Sequence, residues 1–102
     1  MALAFETARI LITDEVGAHE DTQTRSFPKD IKVINDRAIA NVAIQSFKLD
    51  LAGGARPTDI VQVTASIADT GGASVTVRVK THYSGGPYSG EVSVLIIADL
   101  KD

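Results

Sequence analysis

Apolar residues along much of this chain alternate with polar ones at a period of two, the spacing of a half-buried strand and not of a helix. Val61, Val63, Ala65 and Ile67 alternate with Gln62, Thr64 and Ser66. Val75, Val77 and Val79 alternate with Thr76, Arg78 and Lys80, and Val92, Val94 and Ile96 carry the same pattern further on. Successive strand side chains point to opposite faces, so each segment gains one apolar face. β-branched residues dominate all three, which suits a pleated surface. No helix-period segment runs beyond two turns. The pattern predicts strands over residues 9–13, 31–34, 38–51, 59–68, 74–83 and 90–99.

Turn chemistry separates these segments. Residues 69–72 (DTGG) read as a hairpin loop, and residues 84–90 (SGGPYSG) as a longer, Gly-rich hairpin loop between the last two strands. Residues 52–57 (AGGARP) make a third break, and the polar, acidic stretch 14–29 reads as a long loop. Within residues 38–51 the apolar face switches from Val42 and Ile44 to Phe47, Leu49 and Leu51. A one-residue slip of this kind predicts a β-bulge or a strand bending between sheets. Phe47, Val63, Ile67, Val77, Val94 and Ile96 lie on the apolar phase of their strands and are the expected core. The fold class that follows is all-β: a six-stranded antiparallel β-sandwich, or a small barrel, as a single domain over residues 1–102.

Composition narrows the function classes. A chain of 102 residues holds one core. It has no cysteine, so disulfides, thiolate zinc sites and cysteine nucleophiles are excluded. The first residues show no basic region followed by an apolar stretch, so no signal peptide is visible, and the compartment stays undefined. The longest apolar run, residues 94–98, is far below the ~20 residues of a membrane-spanning helix. A net charge of −3 argues against a sequence-independent grip on nucleic-acid phosphates. With only His19 and His82, no Ser/His/Asp arrangement and no phosphate loop, the expectation is a protein that is not an enzyme and needs no cofactor.

Three groups of residues remain as candidates for binding. His82, Tyr83 and Tyr88 cluster around the Gly-rich segment. A sugar site needs an apolar platform and directional polar groups, and tyrosine supplies both. The plainer alternative is a hairpin whose tyrosines cover the end of the core. Asp14, Glu15, His19, Glu20 and Asp21 form an acidic stretch, but their spacing does not match a calcium loop, so a solvated loop without metal is expected. Arg78, Lys80 and His82 form a period-2 stripe, either an anion-attracting or a solvated face, with Lys80 expected opposite Glu91 across the hairpin. The last strand is different: Val92, Val94, Ile96 and Ala98 form one face while Leu95 and Ile97 form the other. Apolar residues on both faces predict burial on both sides. Leu95 and Ile97 then meet another subunit, or are covered by residues 14–29 or the first strand.

From about residue 30 to residue 100 the chain resembles the H-type lectin domain, the fold of snail agglutinins and of the discoidin C-terminal domain. The resemblance is carried by residues 30–34 (DIKVI) followed by the long apolar strand 39–51, by 59–68, and by 75–99, where Thr81-His82-Tyr83 and Tyr88 flank the turn. It implies an H-type lectin-like sandwich, a glycan as ligand, and trimers or multiples of trimers. Family members supply an acid from the loop after the first strand, and Asp14 and Asp21 lie in that region. Where sugar-binding members carry a tryptophan this chain has His82, and Ser66 stands nearest the position of a family arginine. Two functions result. One is a carbohydrate-binding, lectin-like module acting as a multivalent homo-oligomer, in which repeated weak sites raise avidity. The other is a non-enzymatic, self-assembling structural subunit of a particle, fibre or appendage.

Overall fold

The structure, a computed structural model, describes residues 2–51 and 61–102. The predicted break at 52–57 and the first two residues of the predicted strand at 59–68 lie outside the described residues. Among the described residues the fold is all-β and antiparallel, with no helix. Its elements are β1 (Leu3–Ser26), β2 (Val33–Ile34), β3 (Arg37–Ala38), β4 (Ala40–Leu51), β5 (Val61–Gly71) and β6 (Ser74–Asp99).

Two expectations are corrected. Residues 14–26 are not loop but the second part of β1, a strand of 24 residues. Residues 84–90 do not form a hydrogen-bonded hairpin loop: Ser74–Tyr83 and Gly90–Asp99 do not pair with each other but are the two ends of one bent, 26-residue strand, β6. Lys80 therefore does not lie opposite Glu91; its neighbours are Glu20 and Thr64, and those of Glu91 are Leu11 and Lys48. The physical reason is that a Gly-rich segment permits a bend as readily as a reversal. Here β1 runs alongside the whole of β6, which holds the chain to a bend.

β6 is the spine of the sheet. One of its edges pairs with β1 from Leu3↔Asp99 to Ser26↔Ser74. Its other edge pairs first with β5 and then with β4. Both long strands bend at the same level. In β1 the register shifts between Ile12 and Gly17, where Asp14 takes φ 47° and Gly17 φ 73°. The bend divides the sheet into a terminal half (residues 3–12 of β1, 90–99 of β6, and β4) and a hairpin half (residues 17–26 of β1, 74–83 of β6, and β5).

The two halves turn their inner faces toward each other in a sandwich-like arrangement. Val75, Val77 and Val79 of the hairpin half and Val92, Val94 and Ile96 of the terminal half are all essentially inaccessible. A single layer three strands wide cannot hide both sets; each is hidden by the other. The residues between them switch the buried phase from odd to even numbers. Arg25, inside the hairpin half, reaches Glu6 of the terminal half at 3.4 Å. The far end is closed by residues 27–32: Ile31 N donates to Gly72 O at 3.0 Å, Lys32 N to Asp99 O at 2.8 Å, and Ile31 bridges to Leu100. Phe27 and Ile31 are buried there.

The apolar phases read from the sequence hold for most of the expected core. Val77, Val94 and Ile96 are fully buried, and Val63 and Ile67 pack half-buried against them. Phe47 is the exception at 54% exposed. It has the right phase, opposite Val92. However, β4 is an edge strand, and no described strand lies beyond it to cover the ring. The predicted slip in that strand is present as a register shift between Ile44 and Ser46. The β5–β6 hairpin closes through Gly72 and Ala73, with Gly72 at φ 54°. The small β2–β3 hairpin turns on Asn35 and Asp36, both at positive φ, as a type I′ turn requires.

Candidate functional site

The expected tyrosine platform is folded into the bend. Tyr83 and Tyr88 are each only 2% exposed. Their rings meet edge to face, with centroids 6.3 Å apart. The Tyr88 hydroxyl donates to the Gly17 carbonyl at 2.9 Å and lies 3.0 Å from Thr81 Oγ1, which is itself buried. Both rings sit on the inner phase of their stretch of β6, and the Tyr88 hydroxyl ties its bend to that of β1. No ring face is open to stack on a sugar: the two tyrosines fill the core, as the plainer of the two alternatives has it. His82 is on the opposite face of β6 from Tyr83 and is separated from it by the sheet.

The acidic stretch is likewise dispersed. Asp14 lies at the bend, beside Asp50 and Tyr88, in a shallow depression of about 250 Å³. Asp21 lies well along β1 toward its end, opposite Val79, and its carboxylate accepts the N–H of Thr22 at 2.8 Å. The two are therefore not parts of one site. Glu20 Oε1 lies 2.9 Å from Arg78 Nε and 3.9 Å from Lys80 Nζ. The Arg78 contact is ionic and not a directed hydrogen bond, because the N–H points off the axis. His19 Nδ1 lies 3.3 Å from Glu15. Among the described residues no three His, Asp or Glu side chains converge to hold a metal.

The outer faces of the sheet give the clearest signal. In the hairpin half, the rows across the sheet read Thr24–Thr76–Asp69, Thr22–Arg78–Ser66, Glu20–Lys80–Thr64 and Ala18–His82–Gln62. Thr24 and Thr76 share a hydroxyl–hydroxyl hydrogen bond of 2.7 Å. This is an ordinary solvated face. In the terminal half, the rows read Phe5–Ile97–Asn41, Thr7–Leu95–Ala43, Arg9–Ser93–Ser46 and Leu11–Glu91–Lys48. Leu3, Phe5 and Leu11 are more than half exposed, and Leu95 and Ile97 are half-buried between their neighbours. The stretch 14–26 does not cover them, because it belongs to the other half. A groove of about 400 Å³ opens at the end of this face, between Leu3, Ile39, Asn41 and Ile97. Thr7, Asn41, Ser46 and Ser93 interrupt the apolar character, as do Lys48 and Arg9, the latter paired with Glu91 through both Nε and Nη2.

Leu95 and Ile97 thus lie where the alternation put them. Leu3, Phe5 and Leu11 were not foreseen beside them. The signal was available: residues 3–5 (LAF) and 10–12 (ILI), like 94–98, are apolar on both phases of a strand.

Compared with protein-family models, curated proteins and solved structures, the chain has no match in any of the three. The reading of its function therefore rests on this geometry.

Proposed function

We propose that the protein is a non-enzymatic structural subunit that self-associates through the outer face of its terminal half. The observation that carries this reading is the apolar cluster of Leu3, Phe5, Leu95 and Ile97, with Leu11 beyond the Arg9–Ser93 row, on a sheet whose other outer face is polar. Burying apolar surface is worth roughly 25 cal/mol per Å². A solvent-facing sheet surface ordinarily alternates polar residues outward, as the hairpin half does. A homo-oligomer of closed symmetry satisfies the exposed face, and the lectin resemblance points to three-fold arrangements. The test is mass in solution. The parent should run as an oligomer at micromolar concentration, and Leu95→Glu should lower its mass with an unchanged circular dichroism spectrum. A monomeric parent would sink the reading.

A lectin-like module on an H-type lectin-like sandwich is the second reading. What favours it is a shallow groove of about 270 Å³ on the hairpin half, lined by Gln62, Thr64, Lys80 and His82, with His19 at its margin. Its polar side chains suit sugar hydroxyls better than the buried tyrosines do. A glycan array probed with the parent and with His82→Ala decides it: signal on defined glycans must appear with the parent and vanish with the variant.

A further inference from the structure

We propose that a second copy of this chain adds, as an antiparallel strand, to the open edge of β1 in the terminal half, about a two-fold axis centred on Thr7. The proposal rests on the self-association reading, but it names a different surface: the edge of the sheet and not its face.

The direction of the backbone groups follows from one bond. Ala2 O accepts from Leu100 N at 3.0 Å, so the even residues of this part of β1 face β6. The N–H and C=O groups of Leu3, Phe5, Thr7, Arg9 and Leu11 then point away from β6, to an edge that pairs with no other described strand. In the hairpin half the parity is reversed: Phe27 N donates to Ala73 O, so odd residues face β6 and Ala18, Glu20, Thr22 and Thr24 point outward.

Open edges invite pairing, and proteins guard them with charges, prolines or bulges. The outer edge of the hairpin half carries Glu20, Asp21 and Arg25. The β4 edge carries a bulge, Lys48 and Asp50, and the β5 edge a bulge followed by Asp69. Residues 3–12 of β1 (LAFETARILI) carry no lysine, proline, glycine or bulge. Their two charges are engaged within the chain: Glu6 with Arg25, and Arg9 with Glu91.

This edge is also self-complementary. A two-fold at Thr7 sets Leu3 opposite the partner's Leu11, Phe5 opposite the partner's Arg9, and Thr7 opposite the partner's Thr7. Each of these pairs exchanges two main-chain hydrogen bonds. On the inner face it sets Ala4 opposite the partner's Ile10 and Glu6 opposite the partner's Ala8. No like charges meet, and an arginine beside a phenyl ring is favourable. Area argues for the edge as well. The apolar face, three strands wide and about nine residues long, spans roughly 10 by 30 Å, below the ~800 Å² per partner of a stable interface. Joining two edges runs the two faces into one.

Residue-resolved amide exchange on the oligomer tests this directly. Phe5, Thr7, Arg9 and Leu11 should be protected like Glu6 and Ala8, whereas Glu20 and Thr22 exchange quickly. Equal, fast exchange at Phe5, Thr7, Arg9, Glu20 and Thr22 overturns the proposal. The mutational arm is Thr7→Pro against Thr22→Pro, since each removes an outward N–H and leaves the β1–β6 ladder intact. Thr7→Pro should halve the mass, and Thr22→Pro should leave it unchanged. If Thr7→Pro fails to fold, Thr7→Lys and Thr7→Glu replace it: each alone should lower the mass, and an equimolar mixture should restore it. A Leu95→Glu variant that loses mass while the Thr7 variants keep theirs overturns the edge and leaves the face. The converse result leaves the edge and removes the face.

Discussion

The hairpin half and the terminal half are built from the same two long strands, yet they turn different surfaces outward. Inside, they are near equivalents: a row of valines at every second position, closed against the matching row of the other half. Outside, one is almost wholly polar, whereas the other sets leucine, phenylalanine and isoleucine among its polar residues. Inner composition is what folding demands, so the two halves agree there. Outer composition answers to what lies beyond the molecule, and there they part. The contrast within one chain is a better guide than either face alone, because the hairpin half has the composition of an ordinary solvated sheet face.

The inner equivalence can be broken by a charge. Val77→Asp and Val94→Asp should each abolish cooperative folding, since an unpaired buried carboxylate costs several kcal/mol. A cooperative thermal melt from either variant would show that its half does not share the core. Next in size is the bend that creates the two halves. Gly90 sits at φ 152°, and a Cβ there would fall onto the Lys48 carbonyl. Gly90→Ala should cost about 2–4 kcal/mol in urea denaturation. Gly86→Ala, with open space around it, should cost clearly less. A reversed order would mean that the close packing of β4 on the bend is wrong.

The tie across the bend is smaller. Tyr88→Phe removes the donor to Gly17 O and a partner of Thr81, and should cost about 1–3 kcal/mol. Near-zero loss, measured by the same denaturation, would show the bend to be held by packing alone. Smallest of all, Arg78→Ala on the polar outer face should change stability by no more than about 1 kcal/mol and leave the mass in solution untouched. Any change in mass would mean that the hairpin half also takes part in association.

Much of the hairpin half was legible, because its strands keep one apolar and one polar phase. Val75, Val77 and Val79 announced a strand and Gly72 its turn; in the terminal half the slip between Ile44 and Phe47 announced a bulge in β4. The second part of β1 was not legible, and the reason is physical. Its inward positions are His19, Asp21 and Gln23, held half-buried, and the exposed Arg25. A strand whose inner phase is polar shows no alternation. The tyrosines left two alternatives open for a related reason: glycine and proline beside aromatics fit a binding platform or a covered core end, and the bend uses glycine for its backbone and the rings for its filling. Pairing was beyond local pattern altogether, since nothing near Leu3 indicates that its neighbour is Asp99.

That last pairing has a consequence for how the chain is made. β5 and the first part of β6 meet as a local hairpin, but β1 has no partner until β6 follows nearly the whole length of the chain later. Long-range pairings of this kind close slowly. As the chain emerges from a ribosome, residues 3–12, strongly apolar, come out well before residues 90–99 and wait unpaired until those follow. The segment with the least guarded edge in the finished protein thus also waits unpaired during synthesis, and it is where a chaperone would bind or where newly made chains would clump.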